Sequence, residues 1–306
     1  MNRWTWTILL LACLGASVFL QHRLDQGRDP TAEPETSLYL KSGKTLRRMS
    51  LGYHGLLADV YWLRTIQYFG GKLRLMKEGQ ELGEIIARHM DLLEPMLTIT
   101  TELDPGYQAA WRFGAIFLPD YSRESAIRFV KRGIEARPAD WRMYQDLAWI
   151  YWKGKQFDEA GEIYEKASQI AGAPSWLKAM PAIMKLKGGD RETARGMFLR
   201  MYQENDDPYI KGYSLTRLKS FQADDELAIM NRLLISDGVK NQTCPDSLSV
   251  IFRGLTPAAL EKLRQAGMRF SDSLIPADPD GFAYELDPVA CVARLSTRST
   301  IQKWKD

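Results

Sequence analysis

WRMYQDLAWIYWKGKQFDEAGEIYEKASQIAGAP, residues 141–174, carries the clearest structural pattern in the chain. Its apolar side chains recur every three or four positions in two runs, with Gly154 between them. This spacing is typical of the apolar stripe of an amphipathic helix. The stripe is formed by Leu147, Ile150 and Tyr151 in the first run, and by Ile163, Tyr164 and Ala167 in the second. The pattern predicts two helices that pack against each other.

A similar pattern lies on both sides of this stretch. Segments 107–140 and 175–208 align with it at a spacing of 34 residues without gaps. Because proline cannot continue a helix, it marks where a second helix has ended, here at Pro105, Pro138 and Pro174. One helix pair cannot bury its own apolar face, so about three stacked pairs are needed for stability. The sequence predicts three such pairs over 107–208.

The middle segment resembles the tetratricopeptide repeat (TPR), a family of antiparallel helix pairs. The resemblance is carried by Leu147, Ala148, Tyr151, Gly154, Phe157, Ala160, Tyr164 and Ala167. It implies that small residues such as Ala148 and Ala160 lie where the helices cross. The third copy has Pro181 where the family has a large apolar residue, so the start of its first helix is not predicted.

In this family the first helices line a concave binding surface. The inward positions of the family fall on Gln108, Trp111, Arg142, Gln145, Trp149, Trp152, Lys153, Trp176, Ala179 and Ile183. The Lys/Asn set that clamps a terminal carboxylate in some relatives is missing, because Gln145 and Trp149 occupy two of its positions. The resemblance therefore implies an apolar peptide or an amphipathic helix as the partner. The alternative is that some of the four tryptophans pack internally or against the C-terminal part.

The N-terminus contains an uncharged apolar run, WTWTILLLACLGASVFL, residues 4–20. As a helix, 17 residues span roughly 25 Å, close to the hydrocarbon thickness of a bilayer. We predict an uncleaved signal anchor over 4–21 and a tether over 22–45. Two alternatives remain: a lipidated Cys13, since Leu10–Cys13 is similar to a bacterial lipoprotein signal, and a merely buried helix.

Residues 46–106 are predicted to form an irregular helix pair that caps the array. Its two runs are LGYHGLLADVYWLRTIQYFG (51–70) and Leu82–Leu103, and glycines 70, 71 and 79 are expected to connect them. The first run also resembles the N-terminal block of membrane-anchored bacterial TPR proteins. The resemblance implies a single-pass protein of the bacterial inner membrane with a periplasmic body. The positive-inside rule does not favour export, because Arg3 precedes the span and two arginines follow it.

Polar and aromatic residues lie close together in the first of these runs. Asp59, Trp62 and Arg64 fall within about two helical turns. One interpretation is that Asp59 and Arg64 cap or pair at a packed helix interface. The other is that this face docks a partner.

Residues 209–306 are predicted to form a helix followed by a small α+β module. A short helix is expected at 256–267, and two alternating runs, Phe282–Leu286 and Cys291–Leu295, indicate a hairpin. The string LIPADPDGFAYELDP resembles an element of the major pseudopilins of type II secretion, which implies a similar fold. No matching run of acidic ligands follows Asp287, so no metal is expected. Asp278 and Asp280 are expected to be turn residues. Cys244 and Cys291 could form a disulfide if the body is exported.

Composition and motifs limit the functional classes. The chain has 306 residues, with 41 Lys+Arg against 38 Asp+Glu, so its net charge of +3 does not indicate nucleic-acid binding. Three cysteines and three histidines disfavour a metal centre, and no catalytic set, cofactor motif or small-molecule site is evident. The fold predicted is mainly α: a transmembrane helix, an α-solenoid of TPR-like pairs and the C-terminal module.

The predicted function is a non-catalytic, membrane-anchored scaffold that binds a protein partner in an envelope assembly. The alternatives are a permanent structural subunit of a membrane complex and an assembly factor of a secretion or pilus-related system.

Overall fold

The computed structural model describes residues 12–20, 22–23, 42–74, 79–241 and 243–301. The described chain is mainly helical, with two short β-hairpins near the C-terminus, which confirms the predicted fold class at this level. It divides into two compact units, Met1–Phe129 and Val130–Asp306. The helix Arg123–Ala136 runs across the boundary.

The first unit is built from helices that pack around a central apolar one. They are α1 (Gly43–Met49), α2 (His54–Leu73), α3 (Leu82–His89), α4 (Leu93–Leu103), α5 (Gln108–Tyr121) and the beginning of α6 (Arg123–Ala136). Helix α4 packs against α1, α2 and α5. Its side chains Leu93, Leu97 and Leu103 are fully buried, because neighbours cover it on several sides.

The apolar run Leu82–Leu103 is two helices, divided at Met90–Leu92. The hydroxyl of Tyr68 bridges this break: it donates to the His89 carbonyl (2.9 Å) and accepts from the Leu92 amide (3.3 Å). Backbone groups that a continuous helix would pair internally are therefore satisfied by a side chain. Gly70 and Gly71 lie inside α2, which continues to Leu73.

Gly114 allows a close approach in the first unit, since a Cβ added there would overlap the ring of Phe129. Phe129 is fully buried and packs on Trp111 with ring centroids 4.7 Å apart, so it has no room to move. We expect Gly114→Ala to lower the free energy of unfolding by about 2 kcal/mol in a urea titration. Gly70→Ala is the matched control: it lies in a helix interior with open space, so it should stabilise by about 0.5–1 kcal/mol. Equal effects of the two substitutions would contradict the close packing.

The second unit continues with helices of 5 to 34 residues. They are α7 (Trp141–Lys153), α8 (Phe157–Ser168), a 3-10 helix (Ser175–Ala179), α9 (Met180–Lys187), α10 (Arg191–Glu204), α11 (Pro208–Asn241), α12 (Leu248–Arg253) and α13 (Pro257–Gln265). Asp140 caps the N-terminus of α7, because its carboxylate accepts a hydrogen bond from the Arg142 amide (3.2 Å). The two helices predicted over 141–174 are thus present as α7 and α8.

Successive helices of this unit share their core. Ala148 of α7 and Ala160 of α8 are fully buried, and the adjoining Tyr164 is 3% exposed. Leu177 and Met184, from the next segment, complete the same cluster. Because later residues fill the core of an earlier pair, the pairs depend on their neighbours, as the sequence pattern predicts.

The third segment starts differently from the second. Its first helix, α9, has only eight residues and is preceded by a 3-10 helix. Pro181 is the second residue of α9, where its missing amide donor costs nothing. The proline that left this helix start unpredicted is therefore accommodated at a helix N-terminus.

The C-terminal module contains the predicted hairpin and one that the sequence did not reveal. Strands β3 (Glu285–Asp287) and β4 (Val292–Arg294) pair antiparallel, with Leu286 opposite Ala293. Strands β1 (Arg269–Phe270) and β2 (Pro276–Ala277) form the other hairpin. Strands of two residues are too short to show apolar–polar alternation. The expected short helix is α13, which Thr256 caps and Pro257 begins.

Across the described residues, none of the helices combines the length and apolar character that crossing a bilayer requires. Residues 12–20 of the predicted anchor are helical and exposed, while residues 4–11 and 21 lie outside the described part. Residues 24–41 of the predicted tether also lie outside it, and its last residues belong to α1.

Candidate functional site

One face of α7 carries most of the predicted groove residues. Arg142, Gln145, Trp149 and Trp152 follow one another at intervals of three, four and three, which places them on a single side of a helix. The side facing the core carries buried residues such as Leu147. We call the set Arg142, Gln145, Trp149, Trp152 and Lys153 the α7 face.

The α7 face combines partly exposed indoles with cations. Trp152 is 36% exposed and Trp149 is half-buried. The Lys153 ammonium lies 5.2 Å from the centroid of the Trp149 ring, a cation–π geometry. Arg142 stacks on Trp141 (4.5 Å) and lies 3.8 Å from the carboxylate of Asp140. The surface therefore presents apolar rings between two positive charges.

The predicted groove residues of the third segment are only partly accessible. Trp176, in the 3-10 helix, is 37% exposed. Ala179 is buried, and Ile183 is half-buried against the cluster around Tyr164. Of these three, Trp176 is the one that can anchor a partner.

The prediction that Trp111 faces a groove is wrong. Its side chain is 3% exposed and packs on Phe129. The indole N–H donates to the carbonyl of Pro105 (2.9 Å), so the residue holds the preceding turn against α5. Gln108, the other predicted residue of this segment, is exposed.

Asp59 and Trp62 take part in helix packing within the first unit. The Tyr107 hydroxyl donates to Asp59 (3.0 Å), and Trp62 packs edge-on against Phe113 at 5.4 Å. Burial, followed by the contact with Asp59, raises the pKa of Tyr107 to about 12. Arg64 lies 5.9 Å from the centre of the Tyr61 ring. These contacts support the packed-interface interpretation, although Asp59 and Arg64 themselves are exposed.

A disulfide joins Cys244 and Cys291, the pair that the sequence put forward, with Cα atoms 5.7 Å apart. It closes a segment with a sequence separation of 47 that includes α12, α13, the β1–β2 hairpin and strand β3. Cys13 is free and exposed.

The turn before β3 is organised by Asp278, which is 1% exposed. Its Oδ1 accepts from the amides of Asp280 and Phe282, both at 2.9 Å. The Lys219 ammonium bonds to Asp280 (2.5 Å) and, together with other contacts, lowers the pKa of that carboxyl. Both aspartates therefore have the turn role expected of them.

Sequence reasoning missed a buried polar pair in the same module. The Tyr284 hydroxyl donates to Glu226 of α11 (2.6 Å), and the two side chains are 5% and 2% exposed. Burial raises the pKa of both groups. Tyr284 belongs to the string LIPADPDGFAYELDP, so the sequence did draw attention to this residue. Nothing near Tyr284 in the sequence indicates that its partner is Glu226.

Within the described residues, no group of three His, Cys, Asp or Glu side chains is arranged to hold a metal ion. No protein-family model matches the chain, and no curated protein is significantly similar to it.

Proposed function

We propose that this protein is a non-catalytic scaffold, anchored by residues 4–21, that binds a protein partner through the α7 face and Trp176. The observation that carries the proposal is the pair Trp149 and Trp152, which stay accessible on a helix whose opposite side is fully committed to the core. Tryptophan and arginine dominate the binding energy of protein interfaces. The resemblance to membrane-anchored TPR proteins supports a place in an envelope assembly at the bacterial inner membrane, with the body in the periplasm.

The chemistry of the face defines the partner. The indoles favour an apolar peptide or the apolar side of an amphipathic helix. Arg142 and Lys153 flank them, so acidic side chains on the partner would gain charge complementarity. We therefore expect a segment in which apolar and acidic residues alternate at helical spacing.

Crosslinking in native membranes tests this function. A photoreactive residue at Gln145 in the full-length chain should capture one dominant protein partner. Trp149→Ala with Trp152→Ala should reduce that yield about tenfold or more, because each indole is expected to be an anchor. Tyr202→Ala is the matched control: Tyr202 is an exposed aromatic residue (39%) on α10, and its loss should leave the yield unchanged.

Two results would contradict the proposal. One is an undiminished yield in the double variant, shown to be folded by circular dichroism. The other is an equal decrease in the Tyr202 variant, which would mean that the capture does not depend on the α7 face.

A further inference from the structure

Helix α2 has two apolar sides, and only one of them faces the core. Ala58, Tyr61 and Tyr68 are buried against the unit. On the opposite side, Leu56, Val60 and Leu63 follow at intervals of four and three and are 62%, 41% and 59% exposed. We call these three residues the outer stripe. A helix that is apolar on both sides normally has a second apolar surrounding.

The apolar surface continues beyond the beginning of α2. Met49, the last residue of α1, is 65% exposed, and Leu51 and Tyr53 in the connection to α2 are 89% and 71% exposed. Leu51 and Gly52 both have positive φ values, 49° and 96°, so the tight turn projects Leu51 outward at a conformational cost. Large exposed apolar groups that adjoin one another mark an interaction surface rather than ordinary surface scatter.

The segment that carries this apolar surface is rich in positive charge. Residues 42–74 contain six Lys and Arg but one acidic residue, Asp59, a net charge of +5 in a chain whose total is +3. Helix α1 has Lys44, Arg47 and Arg48, all exposed, and no acidic side chain. Apolar and aromatic groups next to clustered basic ones are the composition of segments that lie in a membrane interface. The core of a protein–protein interface is instead depleted of charge.

We propose that the outer stripe and the exposed side of α1 lie on the surface of an anionic phospholipid bilayer. The inference rests on the proposed anchor for its geometry. Eighteen residues, 24–41, separate the N-terminal segment from Ser42, a reach of at most about 60 Å. This tether would keep α1 within that distance of the bilayer, and anionic headgroups attract Lys and Arg that come close to its surface.

Site-specific fluorescence on the full chain tests the proposal. In a Cys13→Ser background, Leu63→Cys is labelled with an environment-sensitive dye and the protein is reconstituted into phosphatidylcholine vesicles with about a quarter phosphatidylglycerol. We expect a blue-shifted emission and at least about twofold stronger quenching by headgroup nitroxide lipids than for a label at Gln108→Cys, an exposed polar site of the same unit. Neutral vesicles, or Arg47→Gln with Arg48→Gln, should reduce the difference.

Other results would overturn either the membrane-surface proposal or the proposed anchor. Equal quenching at both sites would overturn the proposal. A blue shift without lipid quenching would also overturn it, because a protein partner or a second copy of the chain would then cover the stripe. If the protein does not float with the vesicles, the proposed anchor is wrong. Quenching measured after vesicles are added to this unanchored protein then still decides whether the outer stripe binds lipid.

Discussion

Tyr284→Phe should lower the free energy of unfolding by about 3 kcal/mol at pH 8, as measured by urea titration. The Tyr284 hydroxyl donates to the Glu226 carboxylate inside the module. Hydrogen bonds to charged groups contribute about 1.5–3 kcal/mol, and a buried charge left with fewer donors is costly. The Gln222 amide, 2.9 Å from Glu226, would remain as a donor.

The pH dependence of this loss gives an independent check. Burial raises the pKa of Glu226, so its ionised form opposes folding, and stability from this group is gained as the pH falls through that raised pKa. The tyrosine donor lowers that pKa, so Tyr284→Phe should raise it further and make protonation easier. The deficit of the variant should therefore shrink as the pH is lowered from 8 through the raised pKa of Glu226. A deficit that stays constant with pH would exclude this explanation.

Glu226→Gln supplies the matched background. With the charge removed, Tyr284→Phe should cost no more than about 1 kcal/mol, the contribution of a neutral hydrogen bond. The Glu226→Gln protein should also lose the gain in stability that protonation of Glu226 gives on acidification. If Tyr284→Phe costs the same in both backgrounds, the hydroxyl does not act through the carboxylate.

Replacing both Cys244 and Cys291 by Ser should cost about 2–4 kcal/mol of unfolding free energy. A bond between residues 47 apart restricts the unfolded chain, and the double replacement avoids leaving a single reactive thiol. Thermal unfolding with and without reductant measures the effect. Reductant should lower the stability of the wild type to that of the double variant and leave the variant unchanged.

Cys13→Ser is the control for general thiol effects, and it should unfold like the wild type because Cys13 is free. Titration of the oxidised, unfolded protein should find one thiol. Three thiols would show that the bond does not form in the compartment where the protein resides.

The periodic part of the fold could be predicted because burial there repeats along the sequence. Ala148 and Ala160 are both fully buried at the positions that the repeat pattern assigns to small residues. Tyr164, which the sequence places in the apolar stripe of the second helix, is likewise in the cluster. Amphipathic spacing reflects burial directly, so these helices could be predicted without knowing any contact between distant residues.

Features that depend on contacts between distant residues were not predictable. The position of Trp111 in its helix indicated a groove, but the Pro105 carbonyl and the Phe129 ring bury it. The Leu82–Leu103 run gave no sign of its break, because Tyr68, more than 20 residues away, satisfies the backbone there. The short strands β1 and β2 likewise pair without any pattern of their own.

The site was predicted in part for the same reason. The α7 face follows from spacing alone, since Gln145, Trp149 and Trp152 lie on one side of any helix formed there. Accessibility does not follow from spacing: Ala179 occupies an equivalent inward position and is buried. Glu226 was missed because its partner, Tyr284, is 58 residues away.

The contribution of Leu177 and Met184 to the cluster around Tyr164 also bears on how the chain folds during synthesis. Helices α7 and α8 are synthesised before α9. The apolar side chains between them therefore stay exposed to water until Met184 has left the ribosome. Chains fold from the N-terminus as they emerge, and apolar surface that is transiently uncovered promotes aggregation. During this interval the nascent chain exposes apolar surface of α7 and α8 that a holding chaperone would cover. The interval ends when α9 leaves the exit tunnel and packs on the pair.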